Sequence, residues 1–174
     1  VVPFHYFGIS DIQSIDYEKV DLNKIDVLAK LLSVNKRADF IIEKMNFYSF
    51  FGTKRKAIGF CVSKEHAFFM SEKFNEKGIN SLCLTSEDSI QKREETIKKL
   101  EGEKDSLEVI FTVDIFNEGI DIPSINTVLF LRPTNSPIVF VQQLGRGLRK
   151  HKNKDFLTVL DFIGNHKKAY LIAL

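Results

Sequence analysis

From Lys56 onward the chain alternates short apolar runs with charged stretches of helical spacing, and this alternation constrains the fold more than any other feature. KAIGFCV, INSLCLT, LEVIFTV, INTVLFL and FLTVLDF, starting at residues 56, 79, 107, 125 and 156, each read as a buried strand. Residues 64–77 and 89–100, between the first strands, show helical periodicity with a charged outer face, and the second stretch closes near Gly102. Strand and helix in alternation predict an α/β fold: a parallel sheet with helices on both faces, joined by right-handed crossovers. Before Lys56 the spacing is helical, with Ile25, Leu28, Leu31 and Leu32 on one stripe and Phe40, Ile41, Met45 and Tyr48 on another. The division expected is a helical connecting segment over residues 1–53 and the sheet-bearing lobe over residues 54–174.

Composition narrows the function classes. The 174 residues, 44% hydrophobic, suffice for one substantial core. The 25 basic and 23 acidic residues nearly cancel, so overall charge does not mark a nucleic-acid binder and any anion site must be local. Cys61 and Cys83 each lie inside an apolar run, as buried thiols do, which predicts no disulfide framework and a reducing cytoplasm. No apolar run reaches membrane-spanning length, and VVPFHYFGIS lacks the flank of a secretory signal. The chain begins without Met, which predicts a piece excised from a longer protein. His5, His66, His151, His166 and the cysteines show no metal-ligand spacing, so no metal site is expected from them.

In open parallel sheets, ligands bind outside the carboxyl ends of the strands. Two constellations follow such ends. In VFVQQLGRGLRK, Val139 to Lys150, helical spacing puts Pro137, Val141, Leu144 and Leu148 on the stripe facing the sheet, and Gln142, Arg146 and Arg149 on the opposite one. Gly145 and Gly147 remove bulk beside the arginines at about 1 kcal/mol each of helix propensity. A donor-rich stripe of this kind suits anion recognition, since guanidinium forks match phosphate oxygens; a solvated basic face has the same spacing. In FTVDIFNEGIDIP, Phe111 to Pro123, a strand ends at Thr112 and a polar loop runs through Asn117, Glu118, Gly119 and Asp121. A carboxylate there can accept from ribose hydroxyls and a threonine can donate to a phosphate backbone; a helix cap followed by a turn is the structural alternative.

Taken in order, FTVDIFNEGIDIPSINTVLFLRPTNSPIVFVQQLGRGLRK resembles motifs V and VI of superfamily 2 helicases, DEAD/DEAH-box-like proteins whose second motor lobe is RecA-like. AIGFCVSKEHAFFMSEKFNEKGI resembles motif IV with its helix, and LTSEDSIQKREETIKKL the segment that follows. The likeness extends to bacterial helicases related to restriction-enzyme helicase subunits, some of which carry a phospholipase-D-like nuclease domain. It implies that Gln142 lies near the terminal phosphate of ATP and the attacking water, and that Arg146 and Arg149 act as arginine fingers across an interlobe cleft. It further implies that Asp121 meets the nucleotide sugar beside Gly119, and that Ser63, Thr85 and Thr112, with Arg93 as a weaker candidate, contact the nucleic-acid backbone. Gln143 stands where many relatives have Arg.

The cofactors implied are ATP and Mg, held mainly by a first RecA-like lobe elsewhere in the parent chain. No segment here supplies G-x-x-x-x-G-K-[ST] or an acidic D-E-x-x box, so the 174 residues alone are expected to hydrolyse no ATP. The partners expected are nucleic acid, with DNA favoured over RNA, the first lobe, and a nuclease domain, but no membrane. A non-catalytic interaction module is the rival reading.

Overall fold

The computed structural model describes residues 3–13, 15, 19–114, 122, 124–133 and 156–162. Its elements, in chain order, are β1 (Phe4–Gly8), α1 (Ile25–Leu32), α2 (Asn35–Phe47), β2 (Ala57–Phe60), α3 (Lys64–Glu76), β3 (Ser81–Cys83), α4 (Ile90–Glu101), β4 (Val109–Thr112), β5 (Thr127–Phe130) and β6 (Leu157–Asp161). All strand pairs are parallel, in the order β1-β6-β5-β2-β4-β3. The five apolar runs expected to be strands are β2 to β6, and the two charged stretches between the first of them are α3 and α4.

The pleat sends alternate residues of each strand to opposite faces, and the two cores follow that parity. Ala57, Val109, Phe111, Leu129, Leu131, Leu160 and Phe162 pack with Ala38, Ile41 and Met45 of α2 and Ala67, Met70 and Phe74 of α3. Ile58, Phe60, Ile110, Val128, Phe130 and Val159 pack on the other side with Leu100 of α4. Each fully buried side chain of this size contributes about 1.5–3 kcal/mol. With apolar residues on both faces of every central strand, the runs read as continuous rather than alternating. Gly59 faces Phe111 closely: a Cβ there would lie 2.6 Å from the ring.

Serine caps start both sheet-packed helices after β2 and β3. Ser63 Oγ accepts the His66 amide at the start of α3, and Ser89 Oγ the Lys92 amide at the start of α4. Near the amino terminus the two expected helical stripes are α1 and α2, but residues 4–8, inside the segment read as helical, form β1. This edge strand pairs with β6, and Tyr6 donates a hydrogen bond to the buried Asp161 carboxylate. Burial, with Asp161 beside it, raises the Tyr6 phenol far above its ordinary value. Among the described residues no helix is long and apolar enough to cross a membrane.

Candidate functional site

Ser63, Thr85 and Thr112 lie at the carboxyl ends of β2, β3 and β4, three strands adjacent in the sheet with β4 in the middle. The loops after β2 and β3 are tied together by an ion pair between Lys64 and Glu87. Arg93, on the first turns of α4, reaches back to the same place, its Nη2 donating to the Ser86 carbonyl at 3.0 Å. All four residues expected at the nucleic-acid backbone therefore sit at one end of the sheet.

Their hydrogen bonds determine what each has left to give. The hydroxyls of Ser63 and Thr85 both accept backbone amides, from His66 at 3.2 Å and from Glu87 at 3.3 Å. The Ser63 hydroxyl thus keeps a proton to donate, for which a phosphate oxygen is a suitable acceptor, whereas Thr85 Oγ1 already donates to Asp88 Oδ2 at a long 3.5 Å. The Thr85 amide is taken by Asp88 Oδ2 at 2.7 Å. Burial works to raise the Asp88 carboxyl, but hydrogen bonds from Lys92 and the Thr85 amide outweigh it and hold this group below the usual carboxylate range. Thr112 Oγ1 and Arg93 Nε are buried with no hydrogen-bond partner among the described residues. Thr112 is itself fully buried, whereas Arg93 is half-buried.

Gln142, Arg146 and Arg149, expected at the terminal phosphate, and Gly119 and Asp121, expected at the nucleotide sugar, lie outside the described residues. Among the described residues no group of three or more His, Cys, Asp and Glu side chains could hold a metal ion. Cys61 and Cys83 are buried and form no disulfide.

A buried polar cluster that periodicity alone did not single out stands at the ends of β2 and β5. Arg37 is fully buried, its Nε bonded to both oxygens of Asp11 at 2.9 and 3.2 Å and its Nη2 donating to the Leu131 carbonyl at 3.2 Å. His66, also fully buried, accepts the Val62 amide on Nδ1 at 3.1 Å, which leaves its proton on Nε2. Burial, then the charge of Arg37, push the His66 pKa down to about 3, so the ring is neutral. A signal was present in the sequence: Arg37, Ile41 and Met45, like His66, Met70 and Phe74, recur at four-residue steps, which places a polar head on each buried stripe.

Several solved structures share this architecture. An HsdR subunit fragment of a type I restriction enzyme from Vibrio vulnificus matches with a TM-score of 0.67 at 20% identity, over 97% of this chain and 34% of that one. The Escherichia coli DEAD-box protein SrmB matches with a TM-score of 0.57 at 20% identity, over 95% and 81%. At these identities the likeness establishes the fold, which is RecA-like. In sequence, the chain is 38% identical over 105 residues to IRC3 of Saccharomyces cerevisiae, a protein named as an ATP-dependent helicase; the match covers 60% of this chain and 15% of that protein. It is 28% identical over 122 residues to the type I restriction enzyme EcoKI endonuclease subunit of Escherichia coli, covering 63% of this chain and 10% of that one. The chain thus spans less than a fifth of the length of such relatives. Residues 23–151 match the helicase conserved C-terminal domain, and the chain belongs to that family.

Proposed function

We propose that this chain is the C-terminal motor lobe of an ATP-dependent DNA helicase or translocase, with residues 1–53 connecting it to a first RecA-like lobe and residues 54–174 forming the lobe proper. One observation carries the reading: a helicase C-terminal domain in which Ser63, Thr85, Thr112 and Arg93 gather at the ends of adjacent strands. ATP, the substrate, is bound with Mg by the first lobe. Arg146 and Arg149 reach its terminal phosphate across the cleft and stabilise the charge that develops there, while Gln142 orients the attacking water. Arginines in this role are worth about 10³- to 10⁵-fold in related phosphoryl-transfer enzymes. Asp121 accepts from the nucleotide sugar, and Gly119 lets the backbone approach it.

On the nucleic-acid side, the hydroxyls of Ser63, Thr85 and Thr112 and the guanidinium of Arg93 hold one strand by its phosphates. Such a grip is independent of base sequence and weakens with salt. Closing the cleft on ATP and opening it after hydrolysis moves this grip along the strand. The relative named as an endonuclease subunit supports a nuclease domain in the same protein or assembly, and the buried free thiols fit a cytoplasmic location.

Steady-state ATP hydrolysis tests the reading, with the 174-residue chain and the full-length protein each assayed with no nucleic acid, with DNA and with RNA. The expected result is turnover stimulated by DNA in the full-length protein and none from the 174 residues. Robust hydrolysis by the 174 residues would overturn the lobe assignment, and stimulation by RNA alone would replace DNA as the track.

A further inference from the structure

The backbone ladder between β2 and β5 stops one bond early. The Leu131 amide donates to the Phe60 carbonyl at 3.0 Å. With Gly59 opposite Leu129 and Phe60 opposite Phe130, the next pair in a parallel ladder is the Val62 amide with the Leu131 carbonyl. The two do not bond to each other. Val62 N–H donates instead to His66 Nδ1, and the Leu131 carbonyl accepts from Arg37 Nη2. On the other flank of β2 the ladder continues, the Cys61 amide donating to the Thr112 carbonyl at 2.8 Å. Each backbone group at the break is thus satisfied by a fully buried side chain, and Arg37 is in turn anchored by Asp11.

The position of the break gives it significance. From β2 the chain winds toward β3 at one edge of the sheet, and from β5 it winds toward β6 near the other. Crevices at such reversals are where open α/β sheets take ligands. His66 fixes the β2 side twice, holding Val62 with its ring and the Ser63 hydroxyl with its amide. Arg37 fixes the β5 side at Leu131, directly before the stretch that leads to Gln142, Arg146 and Arg149.

We propose that Arg37 and His66 are positioning residues: by replacing the last ladder bond they fix the carboxyl ends of β2 and β5 independently, and so set the Ser63 loop against the loop that begins at Arg132. The role rests on the motor-lobe reading, since it joins the end of the sheet that grips nucleic acid to the segment that faces nucleotide. Arg37 Nη1 and His66 Nε2, buried donors with no partner among the described residues, lie on the same two side chains.

The test is ATP turnover by the full-length protein, titrated with single-stranded DNA and, in parallel, RNA. His66→Phe is expected to raise the nucleic-acid concentration for half-maximal stimulation about tenfold with the KM for ATP unchanged, and His66→Asn, whose Oδ1 can accept the Val62 amide, to return it to within about twofold. A folded His66→Phe variant with a wild-type titration, or failure of His66→Asn to rescue, overturns the inference. A second measurement needs no variant. In ¹⁵N-labelled wild-type protein a coupling across the hydrogen bond between Val62 N and His66 Nδ1 is expected, with the Val62 amide shifting on addition of the oligonucleotide; absence of either overturns it. A wild-type protein stimulated by neither nucleic acid sinks the motor-lobe reading and this role with it, whereas a stimulated wild type with an indifferent His66→Phe sinks this inference alone.

Discussion

The two ends of the β2–β5 pair are built in opposite ways. At the amino ends Asn126 fastens the strands: its Oδ1 accepts the Lys56 amide at 2.8 Å, and its Nδ2 donates to the carbonyls of Phe51 and Lys54 at 2.9 and 2.8 Å. At the carboxyl ends Arg37 and His66 take up, one strand each, the groups that would have made the next bond. A polar side chain among backbone groups can therefore close a sheet or open it. The outcome depends on whether it bridges the two strands or satisfies each separately. The closed end gives the lobe a fixed base, and the open end lies where the residues assigned to nucleic acid are collected.

The contrast can be broken from either side. Arg37→Met should have the largest effect, because it takes the guanidinium from the buried Asp11 carboxylate: urea unfolding should show a loss of about 3–5 kcal/mol, part of it recovered when Asp11→Asn is added. A loss below about 1 kcal/mol would mean that the ion pair does not anchor the open end. Asn126→Ala removes the fastening at the closed end and should cost about 2–4 kcal/mol in the same experiment, since three backbone groups lose a partner. An unchanged midpoint would show that the closed end is held by the ladder alone.

The smallest effect concerns pH. His66 has its folded pKa depressed from 6.5 to about 3, so the unfolded chain binds the proton first and stability falls as pH drops through that window. Between pH 6.5 and 5.5 this amounts to about 1 kcal/mol, a slope that His66→Phe should abolish. An equal slope in the variant would place the acid sensitivity elsewhere.

Much of this organisation was legible in the sequence. β2 to β6 are runs apolar on both faces, and α3 and α4 carry helical stripes with serine caps, so local pattern and final environment agree. Once a parallel sheet was expected, the strand-end rule pointed to the loops that hold Ser63, Thr85 and Thr112, and the resemblance to superfamily 2 helicases singled out those residues within them. β1 was missed because it is an edge strand of five residues in which none is fully buried and His5 and Gly8 are exposed, so the run FHYFG is too short and mixed to stand out. Arg37 and Asn126 were missed for a different reason. Their partners, Leu131 and Lys56, lie 94 and 70 residues away, and no local pattern reports whether a buried polar residue will find one.

Nucleotide turnover by the full-length protein, compared among wild type, Arg146→Ala and Arg149→Ala with nucleotide binding followed separately, tests the central claim most directly. The account predicts that DNA-stimulated turnover collapses in both variants, by about 10³-fold or more, while nucleotide still binds. Undiminished turnover would contradict it: the arginine stripe would then be a solvated face, and the lobe would have to serve as an interaction module instead.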